Sequence, residues 1–382
     1  MLVAAAATGP LALNIFMPSM PGLQREFATD YATVQLALTL YLVGVAVAQL
    51  FYGPLSDRYG RRPLMLAGLV LYIAGSGVSL VAPTIEVLIA GRVIQAVGGS
   101  AGIVLGRAII RDLYERERAA SMLAYVIVAM VVAPMLAPTI GGFLDIWFGW
   151  WAGFLFVLAF GAVVLVAALA LLHETHHGER PPLGLEGLVA GFGRLLRVRV
   201  YCGYAFQVAF TTSAFYSFLA GAPYVVIDLM GRTPGEYGLY SIAVSLAFMA
   251  GNFVTGRITE RVGTDRMIAF GTSIALVGAG LLAISAATGL LSPLTLFGSM
   301  AVIGYGNGMS LPNGMAGAIS VDPRAVGVAS GLSGFLQMTV GAAMSYVVGL
   351  LLADTAIPLV AVMAAATAAA AAAHWLGVRP GR

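Results

Sequence analysis

Charged side chains are scarce in this chain, and where they gather their order is repeated. Gly53-Pro-Leu-Ser-Asp57-Arg58-Tyr-Gly60-Arg61-Arg62-Pro63 sets one carboxylate among three arginines in what reads as a tight, glycine-bounded turn between two apolar runs. About half a chain later Gly256-Arg-Ile-Thr-Glu260-Arg261-Val-Gly263 follows the same plan: a glycine, an acid four residues on, an arginine, and a glycine two further on. Carboxylates and guanidinium groups so placed can make and break ion pairs but supply no nucleophile. Arginines alone would serve as topology anchors; the acid and the glycine spacing favour a latch. Other chemistries find little support. Cys202 stands alone, so no intrachain disulfide or thiolate cluster is possible. His173, His176 and His177 fall in the polar interruption 173–198, and although His173-Glu174 and His177 match the string His-Glu-x-x-His, a zinc site of that kind needs both histidines on one helix face, which a solvent-exposed linker does not offer. No Walker A pattern occurs. Gly304-Tyr-Gly-Asn-Gly308 superficially matches a dinucleotide loop, but no strand precedes it. The residues point to no catalytic set, metal or cofactor, and the chain reads as no enzyme.

The elements that carry these residues are set by composition. Of 382 residues, 60% are hydrophobic and 10% charged, and mean hydropathy is +0.92. Soluble domains carry about 25% charged residues, so most of this chain belongs in a bilayer. Twelve apolar spans are expected at 2–20, 32–52, 64–82, 86–107, 119–144, 150–172, 199–222, 237–256, 266–288, 293–316, 326–352 and 357–377. Leu2–Met20 reads as a retained first helix, not a signal peptide. The longest polar interruption, 173–198, divides residues 1–172 from 199–382 as a domain linker. All basic residues are arginines. With the N-terminus in the cytoplasm, all but Arg25, Arg92 and Arg232 fall in cytoplasmic segments, seventeen of twenty. Both termini are therefore expected inside, and the net charge of +3 reflects topology, with no nucleic-acid partner implied. Arg118-Ala-Ala-Ser121 and Gly327-Val-Ala-Ser330 open the fifth and eleventh spans at a similar offset, so the chain reads as a six-helix unit duplicated in parallel.

Several motifs resemble those of the major facilitator superfamily of transporters. The segment 53–62 is similar to its signature between helices 2 and 3, with Glu260-Arg261 at the equivalent place in the second half. Arg92-Val-Ile-Gln95-Ala-Val-Gly98 looks like its helix 4 motif, and Pro134, Pro138, Gly141 and Gly142 resemble the antiporter motif of helix 5. Gly9-Pro-Leu-Ala-Leu-Asn14-Ile-Phe-Met-Pro18, Tyr52-Gly-Pro-Leu-Ser-Asp57-Arg and Arg107-Ala-Ile-Ile-Arg111-Asp112 are similar to the bicyclomycin-resistance (Bcr/CflA) drug exporters. The resemblance covers almost the whole chain and is strongest over 9–145. It implies an all-α protein of the bacterial inner membrane, usually monomeric, that expels small drug-like molecules against a proton gradient. It also implies that Asp57 pairs with Arg107 or Arg111 and with the start of helix 11 near Gly327, forming an inner gate. One departure stands out: the subfamily commonly carries an aspartate where this chain has Asn14. No span holds an acid securely at mid-depth, which leaves the proton carrier unidentified.

Arg92 is the one charge inside a span. A guanidinium at bilayer depth costs at least ~2.5–3.5 kcal/mol, so it is expected in the bundle interior, bonded to Asn14 or Gln95 or facing an anionic or carbonyl-rich ligand. Snorkelling to the membrane surface is the alternative. Asn14, Phe16, Tyr41, Arg92, Gln95, Phe215, Tyr216, Asn307 and Gln337 are the substrate-cavity candidates, each equally able to pack helix against helix. Pro134 and Pro138 are expected to kink helix 5, and Gly141 and Gly142 to let a neighbouring backbone approach closely.

Overall fold

Apolar runs of more than twenty residues have one economical conformation in lipid, because a helix satisfies its own backbone hydrogen bonds. The computed structural model describes residues 1–113, 116–175, 191–322 and 326–378, and for 111, 116–121, 123–131 and 326 the backbone alone. Among these residues twelve long helices occur and no strand: α1 (Leu2–Glu26), α2 (Tyr31–Tyr59), α3 (Arg61–Leu80), α4 (Ile85–Leu113), α5 (Arg116–Phe148), α6 (Trp151–Leu171), α7 (Arg199–Leu229), α8 (Pro234–Val262), α9 (Thr264–Ala287), α10 (Pro293–Ser320), α11 (Val326–Leu351) and α12 (Ile357–Gly377). Ten of them are long and apolar enough to cross a membrane. Of the other two, α5 is apolar over Val132–Phe148, and α10 has no charged residue in its 28. The outward sides of these helices stay apolar: Val163, Val166 and Leu169 of α6 are more than half exposed, as lipid-facing residues would be.

Helices coincide with all twelve expected spans, and all but α6, α11 and α12 run further at one end or both. The clearest correction concerns Gly53–Arg62, expected as a turn. Here α2 continues through Tyr59, so that Gly53, Asp57 and Arg58 occupy its last two turns and the reversal falls on Gly60. Gly60 has φ +100° and ψ 154°, and Gly263, between α8 and α9, has φ +91° and ψ 149°. A side chain is strained in that region, so both turns require glycine.

Contacts divide the chain into two compact units, Met1–Gly184 with Pro234–Gly238 and Leu185–Thr233 with Leu239–Arg382. Each repeats the same internal pairing. In the first, α1 packs on α4 and α5, and α3 on α4 and α6; in the second, α7 packs on α10 and α11, and α9 on α10 and α12. Glycines make the closest seams. Gly68 of α3 and Gly98 of α4 face each other so closely that a Cβ on Gly98 would lie 2.5 Å from the Gly68 carbonyl oxygen. Gly271 of α9 and Gly306 of α10 do the same, with a Cβ on Gly271 2.5 Å from the Gly306 oxygen. Gly60, Gly68 and Gly75 each recur 203 positions later as Gly263, Gly271 and Gly278. Lipid tails are as apolar as leucine, so such van der Waals seams hold membrane helices together. Gly304, Gly306 and Gly308 belong to these seams, facing Val244, Gly271 and Phe248.

Candidate functional site

The charged segment becomes a joint between helix ends. Because α2 stays helical through Tyr59, Asp57 and Arg61 lie four residues apart and pair, Nη1 to Oδ1, at 2.6 Å. The Arg61 Nε donates to Asp112 Oδ2 at the end of α4 at 3.0 Å, and Nη1 also donates to Ser56 Oγ. Glu174, just beyond α6, accepts from the Arg61 and Arg62 backbone N–H groups at 2.9 and 3.2 Å. It thereby satisfies orphan donors at the start of α3 and places a negative charge at the positive end of that helix. Thr175 Oγ1 donates to Asp112 Oδ2 at 3.3 Å. One arginine thus ties α2, α3 and α4, and a glutamate adds the chain that leaves α6.

The expected residues separate here. Arg61 is 7% exposed and central. Arg58 is exposed, its guanidinium 5.5 Å from the Tyr59 ring centroid. Arg62 enters through its backbone, and its buried Nε has no partner. Arg107 lies on an exposed part of α4, while the Arg111 side chain lies outside the described residues. The second copy is looser: Glu260 and Arg261 are both exposed, and neither forms an ion pair among the described residues. Asp112 and Glu174 were missed as participants. Asp112 was visible beside Arg111, but Glu174 reaches α3 only through folding.

Deeper in the first unit, Arg92 on α4 has no exposed surface, which rules out snorkelling. Its Nη1 donates to the Ala12 carbonyl at 2.9 Å and to Gln95 Oε1 at 2.5 Å. The Gln95 Nε2 donates to Ser76 Oγ on α3 at 2.7 Å, and that hydroxyl donates to the Tyr72 carbonyl at 2.7 Å. The guanidinium carbon lies 4.3 Å from the Tyr41 ring centroid and 4.7 Å from that of Phe16. Tyr41 is fixed by its hydroxyl, which donates to the Gly9 carbonyl at 3.0 Å. Burying an ion costs several kcal/mol; two hydrogen bonds at ~1.5–3 kcal/mol and two ring contacts at up to ~2 kcal/mol each offset that cost. Of the two side chains expected as partners of Arg92, Gln95 bonds to it and Asn14 does not: the Asn14 Nδ2 donates to the Pro10 carbonyl of its own helix at 2.8 Å. Ser76 was unforeseen, since a lone serine in an apolar helix gives little signal.

In the second unit the candidates follow the seam between α7 and α11. Thr212 Oγ1 donates to Gln337 Oε1 at 3.3 Å, and Tyr216 Oη donates to Met338 Sδ at 3.5 Å. The Phe215 and Tyr216 ring centroids are 5.9 Å apart. Asn307 is buried in α10 among the glycines of its seam. A cluster that the sequence did not announce lies at the start of α9. Tyr204 Oη donates to Asp265 Oδ1 at 2.5 Å, beside a cleft of about 540 Å³ that both line with Arg266 and Ser320. The His374 ring is 6.3 Å from that of Tyr204, and its buried Nδ1 has no partner.

The helix 5 motif is a packing surface. A Cβ on Gly141 would lie 3.1 Å from Ile15 Cγ1 and closer still to the Ile15 carbonyl of α1. One on Gly142 would lie 2.8 Å from the Pro234 carbonyl carbon, within the same compact unit. Pro134 and Pro138 both lie inside α5.

Comparison with known proteins agrees with this architecture. Residues 2–346 match the family model described as Major Facilitator Superfamily. The MFS-type transporter YdgK of Bacillus subtilis (strain 168) is 32% identical over 362 residues, covering 94% of this chain and 89% of its own length. Multidrug resistance protein D of Escherichia coli (strain K12) is 32% identical over 355 residues, 88% of this chain and 84% of that protein. A bicyclomycin resistance protein homolog of Haemophilus influenzae is 27% identical, over 93% and 89%. Among solved structures, a bacterial homolog of the lysosomal transporter Spinster superposes with a TM-score of 0.73 at 17% identity, covering 99% of this chain and 96% of the other. The xylose transporter XylE from E. coli gives 0.74 at 14% identity, over 100% and 98%. At these identities the structures speak for the fold alone.

Proposed function

The chain belongs to the Major Facilitator Superfamily, and we propose on that footing that it is a secondary active exporter of small, largely apolar, drug-like compounds. It works as a monomer by alternating access, with protons as the coupling ion. The observation that carries this reading is the near full-length similarity to relatives named for multidrug and bicyclomycin resistance. The helix 5 motif adds support for export over import. The arginine distribution supports an orientation in a bacterial inner membrane with both termini cytoplasmic. Residues 1–172 and 199–382 act as the two moving bundles, joined by 173–198.

In this reading the Asp57–Arg61–Asp112 joint, with Gly53, Arg58, Gly60, Arg62, Arg107 and Arg111, is the cytoplasmic gating motif of the first bundle, and Glu260 and Arg261 are its counterpart in the second. Asn14, Phe16, Tyr41, Arg92 and Gln95 are the proposed substrate contacts of the first bundle, and Phe215, Tyr216, Asn307 and Gln337 those of the second. Among the described side chains, every aspartate and glutamate of the long helices lies near a helix end, so no mid-membrane carboxylate is offered as the proton carrier. The test is drug-dependent proton flux in proteoliposomes containing the full chain, with cationic, neutral and anionic compounds. Export whose rate ignores the imposed pH gradient would sink proton coupling, and no export of any compound would sink the exporter reading.

A further inference from the structure

We propose that the Arg92 guanidinium is a carboxylate receptor, and that the compounds this protein takes include amphipathic carboxylates, an apolar body carrying one anionic head. The substrate class rests on the exporter reading above; the receptor itself does not.

The hydrogen bonds of Arg92 are distributed unevenly. Nη1 is used twice, by Ala12 and Gln95, whereas Nε and Nη2 are buried and have no partner. Those two nitrogens share one edge of the guanidinium plane and direct parallel N–H bonds outward, the fork that fits both oxygens of a carboxylate. Phe16 and Tyr41 cover the guanidinium, so that edge is where donors remain unused.

Among the described residues no carboxylate neutralises the charge. Asn14, two residues along α1 from both Ala12 and Phe16, bonds within its own helix. Among the described residues the titratable groups beside Arg92 are the phenols Tyr41, whose ring lies 4.3 Å from the guanidinium carbon, and Tyr72. Tyr72 Oη is likewise buried without a partner. A desolvated cation with two unused donors is costly and calls for an anion.

The duplicated half removes the simplest alternative, that this polar network is needed to pack α3 on α4. Applying the offsets of the glycine seams, 203 between α3 and α9 and 208 between α4 and α10, Tyr72, Ser76, Arg92 and Gln95 correspond to Ala275, Ala279, Met300 and Ile303. All four are buried and apolar, and the α9–α10 seam forms with the same reciprocal glycines. The fold does not require the network. Arg92 has no exposed surface here, so the receptor is occluded in this conformation. Phe16, at the joint where α1 passes into a short 3-10 turn, is the cover whose movement would admit a ligand.

The test uses three probes with one body and three charges, 2-naphthoate, 2-naphthamide and 2-naphthylmethylammonium, and measures equilibrium binding to the full chain in lipid nanodiscs. Naphthoate should bind roughly tenfold to a hundredfold more tightly than the amide, and the ammonium more weakly than either. Arg92→Lys keeps the charge but loses the fork, so it should bring naphthoate down towards the amide; Asn14→Asp should weaken naphthoate and favour the ammonium. Equal binding of the three probes by the unaltered protein would overturn the proposal, whether or not the Arg92 variant folds. So would unchanged selectivity in a folded Arg92→Lys protein. Displacement of naphthoate by chloride or inorganic phosphate at matching concentration would mark a site for anions in general and overturn the carboxylate assignment. Charge-selective binding without export in proteoliposomes would defeat the exporter reading and leave the receptor standing; export with charge-blind binding would do the reverse.

Discussion

Replacing Arg61 with glutamine removes a side chain that joins α2, α3 and α4. Its side chain is 8% exposed, while those of its partners Asp57 and Asp112 are 42% and 24% exposed. A fully exposed pair would lose ~0.2–1 kcal/mol and a fully buried one ~3–5 kcal/mol. A buried guanidinium between two half-solvated carboxylates falls between, at about 2 kcal/mol, or roughly 30-fold in a local opening equilibrium. Amide hydrogen exchange over 56–66 in nanodiscs should therefore quicken by roughly 30-fold in the fast-reclosing regime, with the start of α9 unchanged as an internal control. Glu174→Gln keeps the shape but weakens the acceptor for two N–H groups, so about 1 kcal/mol and roughly fivefold faster exchange are expected at Arg61 and Arg62. In the unaltered protein the start of α3 should already exchange more slowly than that of α9, where Thr264 and Asp265 have no such cap among the described residues. If Arg61→Gln changed protection less than about threefold, or if Arg61→Gln and Asp112→Asn were simply additive, the joint would not be the energetic unit described here.

Gly75→Ala and Gly278→Ala should each lower thermal stability by about 1–3 kcal/mol, because a Cβ would lie 2.6 Å from the Gly91 oxygen in one case and 2.9 Å from the Ser299 oxygen in the other. Gly298→Ala, with nothing within 4 Å, should leave the melting temperature unchanged or raise it slightly. Tyr204→Phe strips the donor from Asp265 and should destabilise by about 1 kcal/mol. Asp265→Asn should cost less when added to that variant than when made alone; equal costs in the two backgrounds would show that the pair is not coupled.

Most of the fold was legible because bilayer chemistry leaves few choices: apolar runs between arginine-bearing turns define helices before any packing is known. The duplication was legible from Gly53–Gly60 and Gly256–Gly263, whose two end glycines set the same register in both halves. What escaped was chemistry that depends on rotation about a helix axis. Asn14 was offered beside Gln95 as a partner of Arg92 because both are polar and at similar depth, but Asn14 sits two positions from Ala12 and Phe16, well round the helix from their face, and Gln95 makes the bond. The turn at 53–62 was misjudged because glycine and proline usually break helices in water, whereas α2 carries Pro54 and stops only at Gly60. Glu174 escaped because nothing in the local pattern shows that the chain leaving α6 returns to the start of α3.

The duplication is structural but not chemical. The helix seams repeat glycine for glycine, while the first half buries Tyr41, Tyr72, Ser76, Arg92 and Gln95 where the second places Val244, Ala275, Ala279, Met300 and Ile303. The turns diverge too: Arg62 corresponds to Asp265, so the start of α3 is held by an incoming carboxylate and the start of α9 carries its own, bonded to Tyr204. A duplicated scaffold needs its shared seams to keep both halves foldable, but a single polar site suffices to recognise one charged group. A second buried guanidinium at Met300 would add another desolvation cost of several kcal/mol. Among the described residues the second half keeps only neutral polar contacts between α7 and α11, such as the hydrogen bond from Thr212 to Gln337, so recognition of charge is confined to the first.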